Sequence, residues 1–324
     1  MPLPVFHIVD RFDVPWSGSA LEALALHDLL RSHAMVRIWS ALPPHPSYSP
    51  YPIEVIAQEA GLFPRGGTLV LVGGYYELGE WLQIASPDRI IVKYNSFTHL
   101  RFFAWLTELK DAGLPTPHLV FPSKRLRDAV AMEGMVEPSP IDLDRFRPAG
   151  EDNATRQYTV GRLSRDEIHK HHEDDLSLYK MLAFDGCNVR LMGGTCLAEY
   201  LLTDADGIEL IPAGAETPEE FLHSLDCFFY RTGLFEETFG RVVLEAMATG
   251  LPVVCHRRGG YTEWIRSGEN GFLFDSQEEA YDIIAMLRRN PGRSRLIGQA
   301  ARKTAEDLFG EPGKSARRQW YLSG

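Results

Sequence analysis

The chain has 324 residues, of which 44% are hydrophobic and 24% charged. That mixture excludes disordered, collagen-like and low-complexity classes, and the length suits two domains of about 150 residues each. Lys and Arg number 33 against 44 Asp and Glu, a formal charge of −11, so no basic face marks nucleic acid as a partner.

The first ten residues lack the basic and long apolar regions of a signal peptide, and no segment approaches the roughly 18 apolar residues of a membrane span. Val5 to Val9 reads instead as a first strand, followed by a turn-rich loop through Pro15, Trp16, Ser17, Gly18 and Ser19. Leu21, Leu24, Ala25 and Leu29 then fall at helical spacing, and Val36 to Trp39 forms a second strand. Further strands are predicted at 53–57, 68–72, 89–93 and 119–121, with helices over 100–110 and 124–133. The polar, turn-rich stretch 147–154 reads as a linker. After it the alternation restarts, with strands at 158–160, 189–192, 208–211, 227–230 and 253–255 and helices between them. Short apolar strands separated by helices imply parallel sheets covered on both faces. The expectation is an α/β chain of two doubly wound, Rossmann-like domains, residues 1–150 and 151–310. Such sheets bind ligands beyond the carboxyl ends of their strands, so two facing domains would enclose a central cleft.

The four cysteines, Cys187, Cys196, Cys227 and Cys255, form no CxxC pair and read as reduced thiols of a cytoplasmic protein. His169, His171 and His172 beside Glu173, Asp174 and Asp175 do not share one helix face, and the run reads as solvated, not as a metal site. Gly313-Lys314-Ser315 lacks the earlier glycine of a phosphate loop, and no GxGxxG follows a strand. Gly73-Gly74 and Gly193-Gly194 read as tight turns after strands. From Ile284 onward the basic residues outnumber the acidic, which allows at most peripheral contact with an anionic inner membrane face.

The most informative stretch runs from Phe235 to Val254. Phe239, Val242, Val243, Ala246 and Met247 mark one apolar helix face, with Thr238 as the expected N-cap, Gly250 at C′ and Pro252 barring continuation. Glu237 and Glu245 would lie roughly 12 Å apart along a continuous helix. This exceeds the roughly 5 to 9.5 Å of a glycosidase carboxylate pair. It suits an extended ligand with hydroxyls at both ends and a pyrophosphate at the helix N-terminus, the layout of a nucleotide-sugar.

Glu237-x7-Glu245, with Phe239-Gly240 inside it and Ala246-Met247-Ala248-x-Gly250-Leu251-Pro252 after it, resembles glycosyltransferase family 4, retaining enzymes of the GT-B fold. Gly259-Gly260-x-x-Glu263, the run from Ser267 to Phe274, Val160-Gly161-Arg162-Leu163 and Ile141-Asp142-Leu143-Asp144 extend the resemblance. It implies that Glu245 accepts hydrogen bonds from ribose hydroxyls and Glu237 contacts the transferred sugar. Backbone N–H groups at Phe239, Gly240 and Arg241 would hold phosphate, beside Gly161. Arg162 and Lys170 would neutralise the leaving diphosphate, with Arg165 the alternative second cation and Gly193 edging the donor pocket. Asn95 stands where the family places a His facing the reacting sugar, and Gly18 belongs to a loop that approaches the donor. The resemblance further implies a final helix, 311–324, crossing back to the N-terminal domain. It implies no cofactor and no required metal. The partners would be a nucleoside-diphosphate-sugar donor, UDP-linked by family frequency, and a glycan, lipid-linked or small-molecule acceptor. A nucleotide-sugar 2-epimerase of the same fold, or a non-catalytic nucleotide-binding scaffold, would share these features.

Overall fold

A computed structural model describes residues 3–15, 17–150, 157–201 and 206–323. Trp16 and the expected linker residues 151–154 lie outside the described residues. The chain divides into two units, Met1–Pro140 with Gly313–Gly324, and Ile141–Pro312. The change of unit comes upstream of the expected residue 150 because Ile141 and Phe146 are buried in the core of the second unit.

The first unit contains β1 (Val5–Asp10), α1 (Gly18–Leu30), β2 (Met35–Ser40), β3 (Ile53–Val55), β4 (Thr68–Gly73), α2 (Leu82–Ala85), β5 (Arg89–Tyr94), α3 (His99–Asp111), β6 (His118–Phe121), α4 (Lys124–Val130) and β7 (Met135–Val136). Its strands form one parallel sheet in the order β3-β2-β1-β4-β5-β6-β7. Successive strand residues face opposite ways. Leu69 and Leu71 accordingly pack with Phe102, Trp105 and Leu126 of α3 and α4. Val70 and Val72 pack with Ala20, Ala23 and Leu24 of α1 on the other face.

The second unit contains β8 (Thr159–Leu163), α5 (Asp175–Phe184), β9 (Asn188–Met192), α6 (Ala198–Leu201), β10 (Ile208–Ile211), α7 (Pro218–His223), β11 (Cys227–Tyr230), α8 (Arg241–Ala248), β12 (Val253–His256), β13 (Phe272–Phe274), α9 (Gln277–Arg289) and α10 (Pro291–Phe309). The parallel order is β10-β9-β8-β11-β12-β13. Phe228, Val253 and Cys255 pack with Val243 and Met247 of α8 and Ala301 and Ala305 of α10. Val160, Val189 and Val254 pack with Leu178 and Leu182 of α5 and Ile284 and Leu287 of α9. Both sheets therefore carry helices on both faces. Each reverses strand order once, between β1 and β4 in one and between β8 and β11 in the other. In such sheets the reversal is where ligands bind, beyond the strand carboxyl ends.

The last helix, α11 (Glu311–Leu322), contributes Tyr321 to the core of the first unit. Its hydroxyl donates to Glu137 at 2.8 Å, while Lys93 Nζ donates to Glu137 Oε1 at 2.9 Å and to the Tyr321 oxygen at 3.2 Å. Arg89 completes the clamp on the Tyr321 carbonyl at 2.8 Å. Among the described residues no helix is long and apolar enough to cross a membrane.

Candidate functional site

The second unit gathers its polar side chains at the β8/β11 reversal. Lys170 ends a single turn of 3-10 helix, Ile168–Lys170, in the loop after β8, and Glu237 lies in the loop after β11. Lys170 Nζ donates to Glu237 Oε1 at 3.0 Å and sits 3.7 Å from the centroid of the Phe235 ring. The Tyr230 hydroxyl, at the carboxyl end of β11, donates to the same Oε1 at 2.7 Å. Burial pushes the Lys170 pKa below its ordinary value, and the adjacent Glu237 carboxylate works against that shift.

Arg162 stands behind this pair. It was expected to meet the diphosphate, but its side chain is 0% exposed, which leaves no open face for a ligand. Its Nη1 donates to the Arg231 carbonyl at 2.8 Å and its Nη2 to the Lys170 carbonyl at 2.7 Å, and its guanidinium lies 5.2 Å from the Tyr230 ring centroid. The guanidinium thus braces the backbone of Lys170 and of the residue after Tyr230. Asp175, the first residue of α5, receives Arg231 Nε at 2.7 Å and lies 3.6 Å from Arg162 Nη1. All three side chains are buried.

The helix expected after Glu237 starts later than the sequence suggested. Gly240, not Thr238, is the N-cap of α8, at φ 83° and ψ 57°. A Cβ there would sit 2.5 Å from Tyr261 Cδ1, so both the left-handed backbone and the packing call for glycine. Glu237 is therefore in a loop, and the axial separation of a continuous helix does not apply. The loop is held by a hydrogen bond from Gly260 N to the Glu237 carbonyl at 2.8 Å. Phe239 is buried in the core, while Arg241 opens the helix, whose first N–H groups precede any i−4 carbonyl. Gly250 stands just past the Thr249 C-cap with φ 78°, as expected of C′. Glu245, buried on α8, accepts from Arg241 Nη2 at 3.3 Å. Burial raises its pKa, opposed first by Arg241.

The remaining expected residues divide by position. Gly161 lies within β8, where a Cβ would meet Leu225 Cδ2 at 2.5 Å and the Arg190 carbonyl oxygen at 2.8 Å; its place is set by packing, not by open access to a donor. At Gly193, φ +79°, a Cβ would fall 1.9 Å from the Ser164 carbonyl oxygen. Arg165 is exposed and paired with Glu167 at 3.0 Å, so Lys170 is the cation held beside Glu237. Gly18, the first residue of α1, and Asn95, half-buried just after β5, belong to the first unit.

The run 169–175 is not uniformly solvated. His171 and Asp175 are buried. His171 Nε2 hydrogen-bonds the Gly193 carbonyl at 2.9 Å, and burial with the nearby Arg162 cation pushes its pKa down to about 4. At neutral pH it is a neutral ring donating Nε2–H to that carbonyl. Asp175, Leu178, Tyr179 and Leu182 recur at i, i+3, i+4 and i+7, which was the signal that Asp175 faces inward. Tyr230 and Arg231 were also missed. Tyr230 closes an apolar strand, where a core role is the default reading. Among the described residues no group of three His, Cys, Asp or Glu side chains is placed to hold a metal ion.

Two parallel α/β units of this topology, with the polar cluster at a strand-order reversal, define a GT-B fold. HepE of Anabaena, solved in complex with UDP and glucose, superposes with a TM-score of 0.74 at 16% identity, over 99% of each chain. Sucrose-phosphate synthase of Thermosynechococcus elongatus gives 0.71 at 16% identity, over 99% of this chain and 100% of its own. Residues 148–304 match the family described as "Glycosyl transferases group 1", and that stretch belongs to it. Spore coat protein SA of Bacillus subtilis is 32% identical over 92 residues, 28% of this chain and 24% of that protein. The D-inositol 3-phosphate glycosyltransferase of Stackebrandtia nassauensis is 34% identical over 133 residues, 38% of this chain and 29% of its own. The matched stretches thus span less than a third of either relative's length.

Proposed function

We propose that the chain is a retaining glycosyltransferase that moves a sugar from a nucleoside-diphosphate-sugar to a hydroxyl of a glycan, lipid-linked or small-molecule acceptor. The observation that carries the reading is the Lys170–Glu237 pair, 3.0 Å apart at the β8/β11 reversal, followed by the N-terminus of α8 and by Glu245. Cleavage of the bond between sugar and diphosphate leaves negative charge on the departing phosphate. Lys170 supplies a cation there and the first N–H groups of α8 supply oriented dipoles, so the charge is stabilised by groups already in place. Glu245 takes the ribose hydroxyls. Glu237, whose Oε1 is occupied by Tyr230 and Lys170, offers Oε2 to a hydroxyl of the transferred sugar. Arg162 acts from behind, holding Lys170 by its carbonyl. Leaving-group stabilisation in this scheme needs no metal. The UDP and glucose bound by HepE support a uridine donor, and retention rests on the family resemblance.

The test is release of UDP from UDP-glucose in the presence of a mixed acceptor panel, with and without EDTA. EDTA-insensitive turnover by the wild type, lost in Glu237→Ala and in Lys170→Ala, is the expected result. Turnover that survives both substitutions would refute the site assignment. Conversion of the donor without any acceptor would instead identify an epimerase.

A further inference from the structure

We infer that Tyr230 is a positioning residue for the donor sugar, acting through the single oxygen of Glu237 that it shares with Lys170. The inference rests on the nucleotide-sugar reading above and assigns a role to a residue outside the family motif.

A carboxylate offers two oxygens, and the geometry here commits one of them. Tyr230 Oη and Lys170 Nζ both donate to Oε1, at 2.7 and 3.0 Å. Two hydrogen bonds to one oxygen fix the rotation of the carboxylate plane, which directs Oε2 to one place. A single donor restrains that rotation only as well as the donor is itself held. The two donors differ in kind. Lys170 ends a flexible four-carbon stem, and it is also the cation a diphosphate would attract. Tyr230 is rigid: 1% exposed, it stacks at 6.0 Å on Phe228 and meets Tyr261 edge-on at 5.7 Å, with the Arg162 guanidinium at 5.2 Å from its ring centroid. Its hydroxyl makes one hydrogen bond among the described residues, and that bond goes to Glu237. When Lys170 turns part of its charge to phosphate, Tyr230 keeps Glu237 aimed at the sugar. One side chain braces both segments, because Arg162 holds the carbonyl of Lys170 and that of Arg231, the residue after Tyr230.

The experiment is a double-mutant cycle of Tyr230→Phe and Glu237→Ala, read by the affinities of UDP, GDP and ADP and of their glucose esters, measured side by side by calorimetry. The Phe variant keeps the ring and its packing and removes only the hydroxyl. Loss of a hydrogen bond to a charged group predicts that Tyr230→Phe weakens the glucose ester about tenfold and leaves the matching diphosphate within about twofold. In the Glu237→Ala background the same change should alter neither ligand further, because the acceptor of the Tyr230 hydroxyl is already gone. A Tyr230→Phe protein that binds both ligands as the wild type does overturns the inference and leaves the transferase reading standing. Equal weakening of ester and diphosphate overturns it as well, since it marks a merely structural role. Failure of the wild type to bind any of the six ligands overturns the transferase reading itself, and this inference with it.

Discussion

Arg162 donates through Nη2 to the main-chain carbonyl of Lys170 at 2.7 Å, so the cation placed beside Glu237 is held in position by a second cation that never reaches solvent. Two like charges close together are tolerated because each has its own carboxylate. Lys170 pairs with Glu237, and Arg162 lies by Asp175, itself bonded to Arg231.

Removal of the buried guanidinium should therefore be felt in stability before chemistry. Arg162→Met leaves the carbonyls of Lys170 and Arg231 without their donor and weakens the neutralisation of Asp175. The expected loss is about 3 kcal/mol in urea unfolding. A loss below about 1 kcal/mol would show that the brace is not structural.

The alkaline limb of turnover should report Lys170. Burial disfavours the ammonium, so it gives up its proton below the ordinary lysine value of 10.5, and activity should fall as pH rises through that lowered pKa. In Lys170→Arg the cation stays charged, so whatever activity remains should persist to higher pH. A pH–rate profile of the two proteins, with an acceptor that does not itself titrate, checks both statements. Superimposable alkaline limbs would remove Lys170 from the chemistry.

Two glycines with nearly the same backbone angle should respond differently to alanine. Gly214, at φ +80°, has open space where a Cβ would go, with nothing within 4 Å, whereas at Gly193 the Cβ would lie 1.9 Å from the Ser164 oxygen. Gly214→Ala should cost about 1 kcal/mol, the left-handed penalty alone. Gly193→Ala should cost more than about 2 kcal/mol, since backbone must move as well. Denaturant midpoints of the two variants give the comparison directly.

The C-terminal helix should be latched by charge. Lys93 and Glu137 are each about 4% exposed as side chains. Lys93→Met strands a buried carboxylate, with an expected cost of about 3 to 5 kcal/mol. Replacing both partners by apolar residues in Lys93→Met/Glu137→Leu should cost less than that single change. Equal losses in the two proteins would mean that the pair is not coupled.

Much of the fold could be read from the order of short apolar strands and helices, because a strand covered on both faces leaves a continuous hydrophobic run such as Ile90–Val92 or Cys227–Tyr230. The Glu237–Glu245 motif was legible because it combines charge with helix punctuation at Gly250 and Pro252. Other features were not. The sequence marks Arg162 and Lys170 as cations but does not say which one is buried, since that depends on Asp175 and Arg231 arriving from other elements. Thr238 looked like an N-cap by residue type, yet the packing of Gly240 against Tyr261 moved the helix start. Tyr230 reads as core because a buried hydroxyl and a buried ring differ by one atom that only its partner explains.

The most direct test of the donor site is calorimetric titration of UDP into the wild type and Glu245→Ala, with and without EDTA. A single EDTA-insensitive site in the wild type, weakened at least about tenfold by Glu245→Ala through loss of hydrogen bonds to a charged group, is the result this account predicts. Equal UDP affinity in the two proteins would contradict it.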